Sequence, residues 1–320
     1  MIRFKTLVFN GAIVLSISLT GFLLSFANIS GDDKLSDING ILFSSNREGS
    51  GRSVFLMDQN GENISQITKN AIRGDNMVTL SPDKATLLFA TYRFSGWKLA
   101  TSDISGKDIN RLTTSKGYET SAAWSNDGQY IVYSKIDGPG RGFTKLFLAK
   151  SNGQLIKQLN KPPMHNVKPI FSPDDSKVLF EQYDYRSQGS SVADIMELDI
   201  TTGELKNLTK GRKELAFAPA YSPDGKTIAY LSVDSKKKVS FALMDPNGDN
   251  RKILVENIGV YPGGEDQFFM RISWDEDGNR VVFSVFDGND YELFIIDVKS
   301  RNIRQVTNNR FDDVQPYWIK

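Results

Sequence analysis

Few side chains in this chain are equipped for chemistry. There is one histidine, His165, and no cysteine. Disulfides, thiolate zinc sites, iron–sulfur ligation and a cysteine nucleophile are therefore excluded. A poly-histidine metal centre is excluded too, and a Ser-His-Asp triad would have to use His165. No G-x-S-x-G sequence lies between a strand and a helix, and His165 in "KPPMHNVKP" reads as a loop residue. No catalytic set, metal site or cofactor is expected. What remains is a group of acids, Asp75, Glu119 and Asp313, each at the same place in a recurring segment, with Asn166, Ala216 and Phe269 at the equivalent positions. Together they could form a partial acidic ring for a cation or a basic peptide. Alternatively each caps its own turn through backbone N–H groups, which the apolar residues at two of the six positions favour.

The recurring segment defines the elements that carry these acids. It appears as "VTLSPDKATLLFA", "AAWSNDGQYIVYS", "PIFSPDDSKVLFE", "PAYSPDGKTIAYL" and "RISWDEDGNRVVFS", registered on Ser81, Ser125, Ser172, Ser222 and Asp275. A second motif, an apolar strand and a turn such as "FALMDPNGDNRKIL", follows six times. Each copy reads as a four-stranded antiparallel meander with Asp-Gly turns. Such a sheet cannot bury both faces alone, whereas copies stacked around an axis can. The expected fold is all-β, a six-bladed β-propeller over residues 38–320. "DVQPYWIK" supplies the strand that the first copy lacks, so the C-terminal strand closes the first blade. Lys84, Asp175 and Arg301 replace turn glycines, which we read as local tolerance of the turn.

In such a ring the acids lie near one mouth of the central channel. The variable loops share that face, and the short turns share the other. Tyr92, Arg93, Phe94, Trp97, Tyr183, Tyr185 and Arg186 fall in long non-repeating loops and are the candidate partner-binding residues. The aromatics among them could instead fold back on their own blades. Trp124, Phe171, Tyr221, Trp274 and Trp318 recur periodically and are assigned to packing between blades.

The repeats "SPDGKTIAYLS", "LMDPNGDNRKIL" and "SSNREGSGRSVFLMDQNG" resemble the WD-like β-propeller repeats of the TolB family over about residues 38–320. Members carry an additional N-terminal α/β domain, and the likeness here is to their propeller. The resemblance implies a cell-envelope scaffold with protein partners.

Residues 1–27 have the layout of a signal peptide or an N-terminal membrane anchor. Arg3 and Lys5 precede an uncharged apolar stretch, and Ser25 and Ala27 mark a cleavage site before Asn28. Residues 28–37 would be a short linker. Location is therefore expected to be periplasmic or otherwise extracytoplasmic, with membrane contact only through 1–27 if uncleaved. With 39 basic and 38 acidic side chains, nothing points to nucleic acid. The functional expectation is an exported, monomeric, non-catalytic propeller that binds a protein or peptide on its loop face. The alternative is an envelope enzyme acting on carbohydrate or peptide with carboxylates at the channel mouth.

Overall fold

The computed structural model describes residues 39–49, 51–69, 71–138, 142–161, 163–184, 192–263 and 268–319. The expected leader and linker, Tyr185 and Arg186 lie outside them. Among the described residues no helix is long and apolar enough to cross a membrane.

The described chain is all-β. β1 (Gly40–Ser45), β2 (Ser53–Asp58) and β3 (Ser65–Gln66) are followed by β4 (Asp75–Leu80), β5 (Thr86–Thr91), β6 (Lys98–Asp103) and β7 (Asn110–Arg111). Next come β8 (Tyr118–Trp124), β9 (Tyr130–Ile136), β10 (Lys145–Lys150) and β11 (Leu155–Gln158). β12 (His165–Phe171), β13 (Lys177–Asp184), β14 (Val192–Asp199) and β15 (Leu205–Asn207) form another set. β16 (Leu215–Tyr221), β17 (Ile228–Val233), β18 (Lys238–Met244) and β19 (Lys252–Val260) precede β20 (Ile272–Trp274), β21 (Arg280–Phe286), β22 (Tyr291–Asp297), β23 (Ile303–Gln305) and β24 (Asp313–Trp318). The result is a propeller of four-stranded antiparallel blades.

Four sheets have four strands, and β16 to β23 form one sheet of eight. The join is a single pair, Val260↔Phe286, made because β19 runs nine residues where the other outermost strands have two to four. The expected six repeats thus appear as five hydrogen-bonded sheets. β24 pairs with β1, matching Ile41 to Trp318 and Ser45 to Asp313, so the C-terminal strand completes the first sheet. Trp318 is fully enclosed there, packed with Ile41, Phe43, Val282 and Leu293.

The second strands do not alternate between core and solvent. β17, "IAYLSV", is buried at every residue, because each blade is covered by a neighbour on both faces. Apart from β19 the outermost strands are short, and β11, "LIKQ", is exposed throughout.

The first turn of each blade is built by one device. Ser81, Ser125, Ser172 and Ser222 donate Oγ–H to Asp83, Asp127, Asp174 and Asp224 two residues on, at 2.5 to 2.7 Å. Each serine oxygen also accepts the backbone N–H five residues later, at Thr86, Tyr130, Lys177 and Thr227. Asp275 replaces serine, and its carboxylate accepts the N–H of Arg280 directly, which validates the register through "SWDEDG". Lys84 and Asp175 sit at φ 60° and 58° in the glycine place. Asp175 does more than tolerate the turn. It accepts N–H bonds from Asn126 and Asp127 of the neighbouring blade at 2.8 and 3.0 Å.

Four of the second turns key a blade to the one before. A Cβ at Gly61, Gly106, Gly153 or Gly248 would stand 2.1 to 2.5 Å from the carbonyl oxygen of Val306, Ile67, Leu112 or Leu208. Gly203 has open space instead, and Arg301 takes its place with φ 62° in the β22–β23 turn.

Candidate functional site

Leading strands β4, β8, β12, β16 and β24 line the channel in one register. Asp75, Glu119, Asn166, Ala216 and Asp313 pair with Thr91, Lys135, Gln182, Ser232 and Ser45. Sequence reasoning therefore aligned the acids correctly. Their charges, however, are committed inside the protein. Asp75 accepts Arg93 Nη2 at 2.6 Å, and Asp313 accepts Arg47 Nη2 at 2.7 Å and Asn309 Nδ2 at 2.7 Å. Glu119 accepts the hydroxyls of Thr113 and Ser115. All three acids are fully buried. They tie the loops after β1 and β5, and inter-blade segments at Thr113, Ser115 and Asn309, to the leading strands. Among the described residues no group of three or more His, Asp or Glu is placed to hold a metal ion. Glu292 lies nearby, and burial pushes its carboxyl up to about 7, with Asp313 and Asp290 adding repulsion.

On the loop face, the β5–β6 loop makes a ring cluster. Tyr92 meets Trp97 edge-on at 5.6 Å and Tyr118 at 6.4 Å, and the Arg73 guanidinium covers Tyr92 at 4.5 Å. Gly96, at φ +118°, brings the loop so close to Tyr118 that a Cβ would stand 2.7 Å from that ring. Tyr92, Phe94 and Trp97 are half-buried, whereas Ile72, one residue before Arg73, is 67% exposed. A groove edged by Phe94, Lys98, Arg111 and Tyr118 runs beside the cluster.

Two expectations need correction. Arg93 is an ion-pair partner of buried Asp75 and also donates to Lys69 O at 2.6 Å, so its charge is committed within the fold. Tyr183 is 0% exposed, stacked on Phe217 at 5.9 Å and bonded to Glu181. It belongs to the core because β13, eight residues long, extends the strand past the point where the loop was placed.

Sequence reasoning placed a central channel but missed what lines and crosses it. Two places after the acid register, Met77, Ser121, Lys168, Ala218 and Gln315 all adopt φ of 50° to 57°, and the pairing with the second strand slips there. These are β-bulges, each freeing backbone groups from the ladder. Adjacent blades recover some of them: Gln315 Oε1 accepts Met77 N–H at 3.0 Å, and Glu181 Oε1 accepts Ala218 N–H at 2.6 Å. From the bulge level side chains cross the channel. Lys168 pairs with Glu181 at 2.9 Å and donates to Met270 O at 3.1 Å. Arg271, at the equivalent place before β20, donates to Val78 O at 2.8 Å and lies over Tyr317. Beneath them a cavity of about 320 Å³ opens among the turns at Pro82, Asn126, Pro173 and Pro223. Its walls include Trp124, Phe171, Tyr221 and Trp274, and its charged lining residues are Lys168 and Arg271. The available sequence signal was a charged residue three places before the aromatic residue that precedes the turn, Lys168 in "NVKPIF" and Arg271 in "FMRISW".

The blades and their bulged, side-chain-crossed channel define a β-propeller protein. No family profile matches the chain. Among curated proteins it is similar to the Tol-Pal system protein TolB of Francisella tularensis subsp. mediasiatica (strain FSC147). The two are 26% identical over 242 residues, covering 62% of this chain and 54% of that protein. The chain thus spans about half the length of the curated relatives it matches. Among solved structures, TolB from Acinetobacter baumannii superimposes with a TM-score of 0.70 at 18% identity, over 88% of this chain and 66% of the other. An oligogalacturonate lyase from Vibrio parahaemolyticus gives a TM-score of 0.56 at 17% identity, over 83% and 74%. At such identities the solved structures speak for the fold alone. The chain is a TolB-like β-propeller.

Proposed function

We propose that this is an exported, non-catalytic, TolB-like scaffold of the cell envelope, which holds a protein or peptide partner on its loop face around Tyr92, Phe94 and Trp97. The observation that carries the reading is Ile72, 67% exposed beside a ring cluster already ordered by Arg73 and Tyr118. Ordered aromatic rings with an exposed apolar rim give contact area at low entropic cost, the pattern of an interface hot spot. The curated TolB proteins, named for the Tol-Pal system, support an envelope setting. The reading takes residues 1–27 as the export signal or anchor and the chain as a monomer. It also counts six blades, treating β16–β19 and β20–β23 as two, since a single residue pair joins them.

The enzyme alternative finds less support in this geometry. The channel-mouth acids are spent on Arg93, Arg47, Thr113 and Ser115, and no carboxylate or histidine is among the residues lining the cavity. General acid–base chemistry needs such groups free at the substrate.

A photo-crosslinking amino acid at position 72 in cells tests the proposal. A discrete adduct with an envelope protein, lost in Tyr92→Ala, is expected. Adducts formed only from the turn face, for example from position 126, would overturn it.

A further inference from the structure

We propose that the channel cavity on the turn face binds a monoanionic carboxylate carried on an apolar or aromatic body, with Arg271 as its principal partner and Lys168 alongside. The site is distinct from the loop face and does not depend on it.

The charge balance of the cavity is the starting point. Its charged lining residues are Lys168 and Arg271. Glu181 neutralises Lys168 at 2.9 Å. Arg271 has a carbonyl and an aromatic ring as neighbours, Val78 O and Tyr317, and no acid among the described residues makes an ion pair with it. Among the described residues one positive charge is therefore left over. Burial pulls the Arg271 guanidinium down to about 10, while part of the residue keeps contact with solvent. A cation in such surroundings gains far more from an anion than one in open water. Its planar fork suits a two-oxygen carboxylate. A dianion such as sulfate would leave a second negative charge unmatched.

The walls specify the rest of the ligand. The lining also includes Trp124, Phe171, Tyr221 and Trp274, with prolines at the turns. An apolar body directed toward the mouth would cover these rings while its carboxylate reaches Arg271. The volume of about 320 Å³ is at the lower end for small-molecule sites. Two sources share this chemistry, a small organic acid and the C-terminal carboxylate of a peptide ending in an apolar residue.

The test is a titration of the full protein, followed by tryptophan fluorescence and calorimetry, with 3-phenylpropionate and with its uncharged amide. The acid should bind at least tenfold more tightly than the amide, and R271Q should abolish that preference. An acid preference unchanged by R271Q would overturn the role of Arg271. Equal binding of acid and amide to the wild type, or no response to either, would overturn the proposal without reference to any variant. I72D should leave the titration unchanged, so failure of the loop-face reading is told apart from failure here. Two tripeptides ending in phenylalanine, one with a free C-terminus and one amidated, distinguish the sources. Tighter binding of the free peptide than of 3-phenylpropionate identifies a peptide terminus, and the reverse order identifies a small acid.

Discussion

Arg93 and Asp75 are partners: the guanidinium of one, from the loop after β5, meets the fully buried carboxylate of the other, at the start of β4, at 2.6 Å. Their pairing joins a loop residue expected to face a partner with an acid expected to face a channel. It makes both of them parts of the frame.

Arg93→Ala should therefore lower stability. It strands a buried carboxylate, and breaking a buried pair costs about 3–5 kcal/mol, with the lower end fitting the solvent that Arg93 retains. Asp75→Asn in the same chain should recover much of the loss. Urea unfolding of the two single variants and the double variant measures the coupling.

Gly106→Ala and Gly203→Ala should separate two costs. Both glycines have positive φ, 74° and 75°, which costs an L-residue about 1–2 kcal/mol. Only at Gly106 would the new methyl also meet a backbone oxygen, Ile67 O at 2.1 Å. Overpacking should add about 1–3 kcal/mol there. Equal melting temperatures for the two variants would refute the keyed contact between blades.

Glu292 should make stability fall as pH rises. Its carboxyl is raised from 4.5 to about 7, so the folded state binds more protons than the unfolded one within that window. The contribution is full below pH 4.5 and is lost by about pH 7. At about 1.4 kcal/mol per unit, a rise of about 2.5 units sets an upper bound of about 3.5 kcal/mol. His165, lowered by burial, acts in the opposite direction. The difference between wild type and Glu292→Gln, followed by denaturation from pH 4 to 8, isolates the Glu292 part.

Removing residues 313–320 should leave β1 as an open edge and uncover Ile41, Phe43 and Val282. Insolubility or a large loss of melting temperature is expected. A truncated chain melting within about a degree or two of the full one would show that β24 is dispensable.

The fold was legible because its repeat is local. Ser81, Ser125, Ser172, Ser222 and even Asp275 announce the same turn, and the acids three residues before each proline or its equivalent followed in register. Chemistry that depends on meeting across the ring was not legible. Lys168 reaches Met270, and Arg271 reaches Val78, through a channel that exists only once distant blades surround it. Tyr183 was misplaced for a simpler reason: β13 outlasts its counterparts, and no pattern in "EQYDYRSQG" marks where pairing stops.

The pairing of β24 with β1 also governs the order of folding. Most strands find their partner within a few residues and can pair as soon as they emerge from the ribosome. β1 cannot. Its inner edge stays unsatisfied through the synthesis of every intervening blade, so the slowest step should be the search of one strand for the other. A circular permutant opened between β3 and β4, with residues 38 and 319 joined by a short linker, would make every blade contiguous in sequence. It should reach the same structure faster, and it would spend no time with three strands waiting for their fourth.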